Sequence, residues 1–103
     1  MRRVGVTGMG ALTPIGNNLN DYWNSLVNGK SGAAPITKFD TEKFKTKFAC
    51  ELKDFNPSDH FDRKELRKYD PFSQYALVSV DEALKHSNLN LEIVNKDRVG
   101  VIW

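Results

Sequence analysis

The stretch that decides the fold is Arg2–Asn18, reading RRVGVTGMGALTPIGNN. Its apolar run, with β-branched Val4, Val6 and Thr7, is bounded by Gly8 and Gly10 and then by Thr13-Pro14. That pattern predicts a buried strand leading into a glycine-rich turn, around which later elements must pack. Gly5, Gly8 and Gly10 are spaced G-x-x-G-x-G, which is not the dinucleotide-binding order G-x-G-x-x-G. Counted from Gly8 the third glycine is replaced by Thr13, and Pro14-Ile15-Gly16-Asn17-Asn18 delays the following helix. A pyrophosphate cradle needs a turn that opens directly into a helix N-terminus. The preferred reading is that small residues let the backbone pass close to a neighbouring element.

Composition narrows the classes. At 103 residues the chain is at most one domain. Fifteen basic and thirteen acidic side chains leave a net charge of +2, so no global field calls for nucleic acid or a membrane surface. A hydrophobic content of 40% fits an ordered globular chain. The single cysteine excludes an internal disulfide and suits a reducing compartment. No apolar run reaches the length of a membrane span, and no signal core follows Arg2-Arg3. The expected location is the cytoplasm.

Outward from the opening, Leu19, Tyr22, Trp23, Leu26 and Val27 recur at helical spacing, so the aromatic pair is read as core. Asn18 or Asn20 caps this helix and Asn28-Gly29 ends it. Lys30–Pro35 reads as a loop, and the alternation over Thr46–Lys53 as a short exposed strand. Asn56-Pro57-Ser58-Asp59 reads as a turn that can start a short helix. Asp62 caps one or two helical turns, DRKELRKY, which put Lys64, Arg67 and Lys68 on one side with Glu65 off that face. Taken alone, such a cluster reads as a solvated charged face; the other reading is a docking patch for an acidic partner.

Asp70-Pro71 starts a helix whose stripe of Phe72, Tyr75, Ala76, Val80, Ala83 and Leu84 is apolar enough for burial on more than one side. Lys85 and His86 close it, where positive charge suits the helix dipole. Val99–Trp103 reads as a second buried strand in which the chain stops, an arrangement that would leave a carboxylate costly to desolvate. The order β, helix, irregular insert, helix, β is half of a layered α/β sheet, and the expectation is a fragment of a longer chain, truncated at Trp103.

TGMGALTPIGNN, the helix with Trp23, the loop SGAAPITKFD and the segment RKELRKYDPFSQYA together resemble the N-terminal part of a β-ketoacyl–acyl carrier protein synthase, synthase II type, over essentially the whole of Arg2–Trp103. The resemblance implies an α/β, thiolase-like layered fold, of which residues 1–103 are the N-terminal half of the first βα-repeat, with an irregular insert and short helices. It implies a homodimer and a decarboxylative Claisen condensation, in which an acyl group moves to a cysteine and malonyl–carrier protein loses carbon dioxide and attacks the thioester. It implies no cofactor and no metal, the substrates riding on the phosphopantetheine of acyl carrier protein. In that family the nucleophile sits at a strand-to-helix turn, and two histidines stabilise the thioester oxygen and enolate; all three are expected beyond Trp103.

Cys50, in FACELK, has no such turn; His60 is in a polar turn and His86 closes a helix. The three are rejected as a catalytic set, so no catalytic residue is expected in these 103. What the resemblance carries over is carrier-protein docking by Lys64, Arg67 and Lys68, with Arg63 adding long-range attraction. It reverses the preference for a solvated face. Two alternatives stay open, a non-catalytic docking module and a nucleotide-binding α/β domain using Gly8 and Gly10.

Overall fold

In a computed structural model, which describes residues 1–102, three α-helices carry the chain: α1 (Leu19–Val27), α2 (Arg63–Lys68) and α3 (Pro71–Ser87). Each forms where local chemistry dictates. The Asn18 side chain caps α1 by accepting from Asp21 N. At its other end Lys30 N donates to Ser25 O and Gly29 N to Leu26 O, with Gly29 at φ +64°; this paired closure needs a residue that tolerates the left-handed region. Helix α3 begins at Pro71, as the Asp70-Pro71 signal requires, although the Asp70 side chain makes no capping bond. It ends at Asn88, held at φ +53°.

The only sheet among the described residues is a two-residue antiparallel ladder, β1 (Ala34–Pro35) with β2 (Phe48–Ala49), in the register Ala34 opposite Ala49. Strand β2 lies within the predicted Thr46–Lys53 segment; β1 lies in what read as a loop. Lys53 fastens this region to the opening turn, its ammonium donating to Gly32 O at 2.6 Å and Pro14 O at 3.2 Å. Asn17 Nδ2 returns a bond to Lys53 O at 2.7 Å.

The two predicted buried strands are corrected. Residues 2–8 and 99–102 form no strand and have no ladder partners; Val4 is 95% exposed and Ile102 is 99% exposed. Trp103 lies outside the described residues. An apolar run signals the need for burial, but a strand also needs neighbours for its backbone groups, and neither run has one here. The same reason corrects the two helical stripes. Trp23 is 61% exposed, and Phe72, Leu77 and Val80 also face outward, because nothing among the described residues covers them.

What holds the opening is α3. An ideal Cβ on Gly10 would meet the backbone of Ser79 and stand 2.9 Å from Ala83 N, and one on Gly8 would be 2.6 Å from Ser87 Cβ. The glycines therefore serve close approach to a helix. Between them Met9 N donates to His86 Nδ1 at 3.0 Å, and beyond them Ala11 N donates to Glu82 Oε2 at 2.8 Å. The other Glu82 oxygen accepts from Leu19 N, at 2.7 Å. One carboxylate thus ties both the glycine turn and the start of α1 to α3. Thr13 and Gly16 close the intervening turn through reciprocal backbone bonds of 2.9 and 3.1 Å.

Candidate functional site

Helix α2 has six residues, too few to persist by backbone bonding alone. A capping box secures its first turn. Asp62 Oδ1 accepts from Lys64 N and Glu65 N, each at 2.8 Å, while Glu65 Oε2 accepts from Asp62 N at 3.0 Å. This geometry decides the electrostatics of the helix. Both carboxylates of the segment are drawn to the N-terminal end, and the basic side chains are left alone on the flank and C-terminal turn.

Arg63, Lys64, Arg67 and Lys68 are all exposed, and among the described residues none forms an ion pair; the one salt bridge there joins Asp81 and Lys85 on α3. Lys64, Arg67 and Lys68 fall at i, i+3 and i+4, which places them on one side of the helix. Arg67 and Lys68 in the last turn also suit the negative end of the helix dipole, so the arrangement does not strain its own scaffold.

Helix α2 is set against α3 by the corner Tyr69-Asp70-Pro71. Pro71 lacks the amide that would let the helices fuse, and it biases Asp70 to extended backbone. Across this corner Gln74 Nε2 donates to Tyr69 O at 2.9 Å. Gln74 is the one buried side chain among the described residues, at 7% exposure. An aromatic series backs the corner. Phe61 meets Tyr69 edge-on at 6.0 Å, Phe55 stacks on His60 at 5.5 Å, and Phe55 meets Tyr75 of α3 at 5.6 Å. The Lys68 ammonium lies 5.8 Å from the Tyr69 ring, which anchors the stem of one patch residue.

The remaining candidates are dispersed. Cys50 is exposed just beyond β2, His60 is engaged with Phe55, and His86 accepts from Met9 N. No hydrogen bond joins any two of the three among the described residues. His86 was read only as a complement to the helix dipole; its ring nitrogen also receives the opening backbone. The glycine turn is occupied by α3: the Met9 and Ala11 amides that a phosphate would use donate to His86 and Glu82 instead. Gln74 and Glu82 were not legible as special residues. Each is a polar position on a helix whose partner is set by tertiary approach, and the only local signal was the break at Asp70-Pro71, four and three residues before Gln74.

The model of the N-terminal domain of the β-ketoacyl synthases matches residues 1–103. The chain is 46% identical over 100 residues to 3-oxoacyl-(acyl-carrier-protein) synthase 2 of Staphylococcus aureus (strain COL), covering 97% of this chain and 24% of the relative. It is 45% identical over 100 residues to the protein of the same name from Coxiella burnetii, again 24% of that relative's length. The chain thus spans about a quarter of the length of the curated relatives it matches. Among solved structures, the ishigamide ketosynthase/chain length factor superposes with a TM-score of 0.76 at 36% identity, over 84% of this chain and 22% of that one. A type II PKS acyl-carrier protein in complex with its ketosynthase superposes through the latter with a TM-score of 0.63 at 25% identity, over 87% of this chain and 23% of that one.

Proposed function

Because the chain belongs to the β-ketoacyl synthase family through its N-terminal domain, we propose that the protein is a 3-oxoacyl–acyl carrier protein synthase of fatty acid biosynthesis, an acyltransferase acting by decarboxylative Claisen condensation. In this reading the nucleophilic cysteine and two assisting histidines come from residues outside these 103, which supply scaffold and docking surface. The partner is acyl carrier protein, whose phosphopantetheine carries both substrates, and the enzyme works as a cytoplasmic homodimer without metal or further cofactor. Among the described residues no helix is long and apolar enough to cross a membrane.

The observation that carries the reading is the cationic side of α2. Lys64, Arg67 and Lys68 stand exposed without ion-pair partners among the described residues, on a helix whose own carboxylates are consumed in its cap. An acidic helix of a carrier protein complements such a side. Charges of this kind act chiefly on encounter rate and orientation. In support, a structural neighbour is a ketosynthase in complex with its acyl-carrier protein.

The test is charge reversal in the full-length protein. Replacing Lys64, Arg67 and Lys68 together with Glu should raise the apparent KM for carrier-protein substrates about ten- to a hundredfold, since like-charge juxtaposition costs several kcal/mol. The effect on small thioester substrates should be far weaker. Equal losses on both substrate types would sink the proposal.

A further inference from the structure

We infer that Gln74 is a positioning residue that fixes the direction in which α2 presents its cationic side, an inference that rests on the docking reading of that side. The argument begins with length. A helix of six residues has few internal bonds, so its orientation depends on what holds its two ends. The N-terminal end is held by the Asp62–Glu65 box, which is internal to the segment and sets no direction relative to the rest of the molecule. The C-terminal end is different. Tyr69 O belongs to the residue that caps α2, and it receives Gln74 Nε2 from the first turns of α3.

This bond spans the corner made by Asp70 and Pro71, where backbone helix bonding is interrupted. It is made by the only buried side chain among the described residues, so water does not compete freely for the donor. The aromatic contacts around Tyr69 fill space but tolerate rotation about their ring axes; a hydrogen bond to one carbonyl fixes a direction. Removing the donor leaves Tyr69 O to find water and lets α2 swing about the corner. The charges on Lys64, Arg67 and Lys68 stay in place, but they no longer stay aimed.

Two consequences separate aim from charge. Long-range attraction depends on how much charge is present, so the association rate and its salt dependence should survive loss of Gln74. Short-range fit depends on where the charges sit, so dissociation should quicken. Gln74→Met keeps the length and volume of the side chain and removes the donor. Gln74→Asn keeps polarity but is one methylene, about 1.5 Å, too short to reach the carbonyl; it is the second variant should the methionine form fail to fold.

The experiment measures stopped-flow association and dissociation of the full-length protein with holo acyl carrier protein across ionic strength, alongside amide hydrogen exchange. For Gln74→Met the expected result is an unchanged association rate and salt slope, with dissociation about three- to tenfold faster, the worth of one net hydrogen bond. Exchange should quicken at Arg67, Lys68 and Tyr69 while the amides of α3 stay protected. An unchanged dissociation rate, with charge reversal still slowing association, overturns the inference and leaves the docking reading intact. Faster dissociation accompanied by loss of protection throughout α3 also overturns it, because the residue then acts only on general stability. If charge reversal leaves association unchanged, the docking reading falls and this inference falls with it.

Discussion

Gly10 shows how much one missing carbon decides. The atoms nearest to a Cβ at this position are the backbone of Ser79 and Ala83, held in the hydrogen-bonded ladder of α3 and unable to turn aside as a side-chain tip would. Gly10→Ala should therefore destabilise the full-length protein by about 1–3 kcal/mol, the usual cost of overpacking. The denaturation midpoint checks it; a shift within error of zero would mean that the opening segment can lift off α3 without consequence. Glu51 illustrates a milder dependence on one neighbour. The Thr37 hydroxyl donates to its carboxylate at 2.8 Å and the Thr37 amide at 3.1 Å, and these bonds hold Glu51 below the ordinary carboxylate range.

At the scale of elements, helices were legible where their ends were written locally. Asn18, Asn28-Gly29, Asp62 and Asp70-Pro71 are each a start or stop that acts within four residues, and each bounds the helix it predicts. Strands were less so. The Ala34–Pro35 strand is joined to Phe48–Ala49 by backbone pairing across an insert, and neither alternation nor β-branching marks it. Conversely, Val4–Thr7 and Val99–Ile102 have the composition of strands and lack the neighbours that make one. The basic side of α2, its cap by Asp62 and the placing of Glu65 off that face were readable from spacing; the bond by which Glu65 reaches back to Asp62 N was not read, although the S/T/D-x-x-E spacing of a capping box was there to be found. Asp62→Ala removes the acceptor for two amides and should cost about 0.5–2 kcal/mol. Because α2 is so short, that loss should fall on the helix itself, seen as faster exchange at its amides with those of α3 unchanged. Uniform acceleration across both helices would refute the separation.

At the scale of the molecule, the deciding quantity is surface left open. The chain presents 9004 Å² to solvent, where a compact protein of this mass would show roughly 5,900 Å². Its radius of gyration is 17.1 Å, against about 13 Å for a compact domain of this length. No hydrophobic side chain among the described residues is buried, so the helices and the short ladder stand without a closed core between them. The 103-residue chain studied by itself should bind a hydrophobic dye strongly and melt without a sharp cooperative transition. Weak dye binding together with a sharp calorimetric peak would show that these faces close on one another.

The Glu82 carboxylate adds a constraint in time. It receives Ala11 N from 71 positions earlier and Leu19 N from 63 positions earlier. A ribosome adding about 5–20 residues per second needs roughly 4–14 s to traverse that interval. For those seconds the glycine turn and the first helix exist without the acceptor that fastens them. Translation speed over residues 20–82, and whatever shelters the nascent opening meanwhile, therefore bear on how much of this protein reaches its folded form.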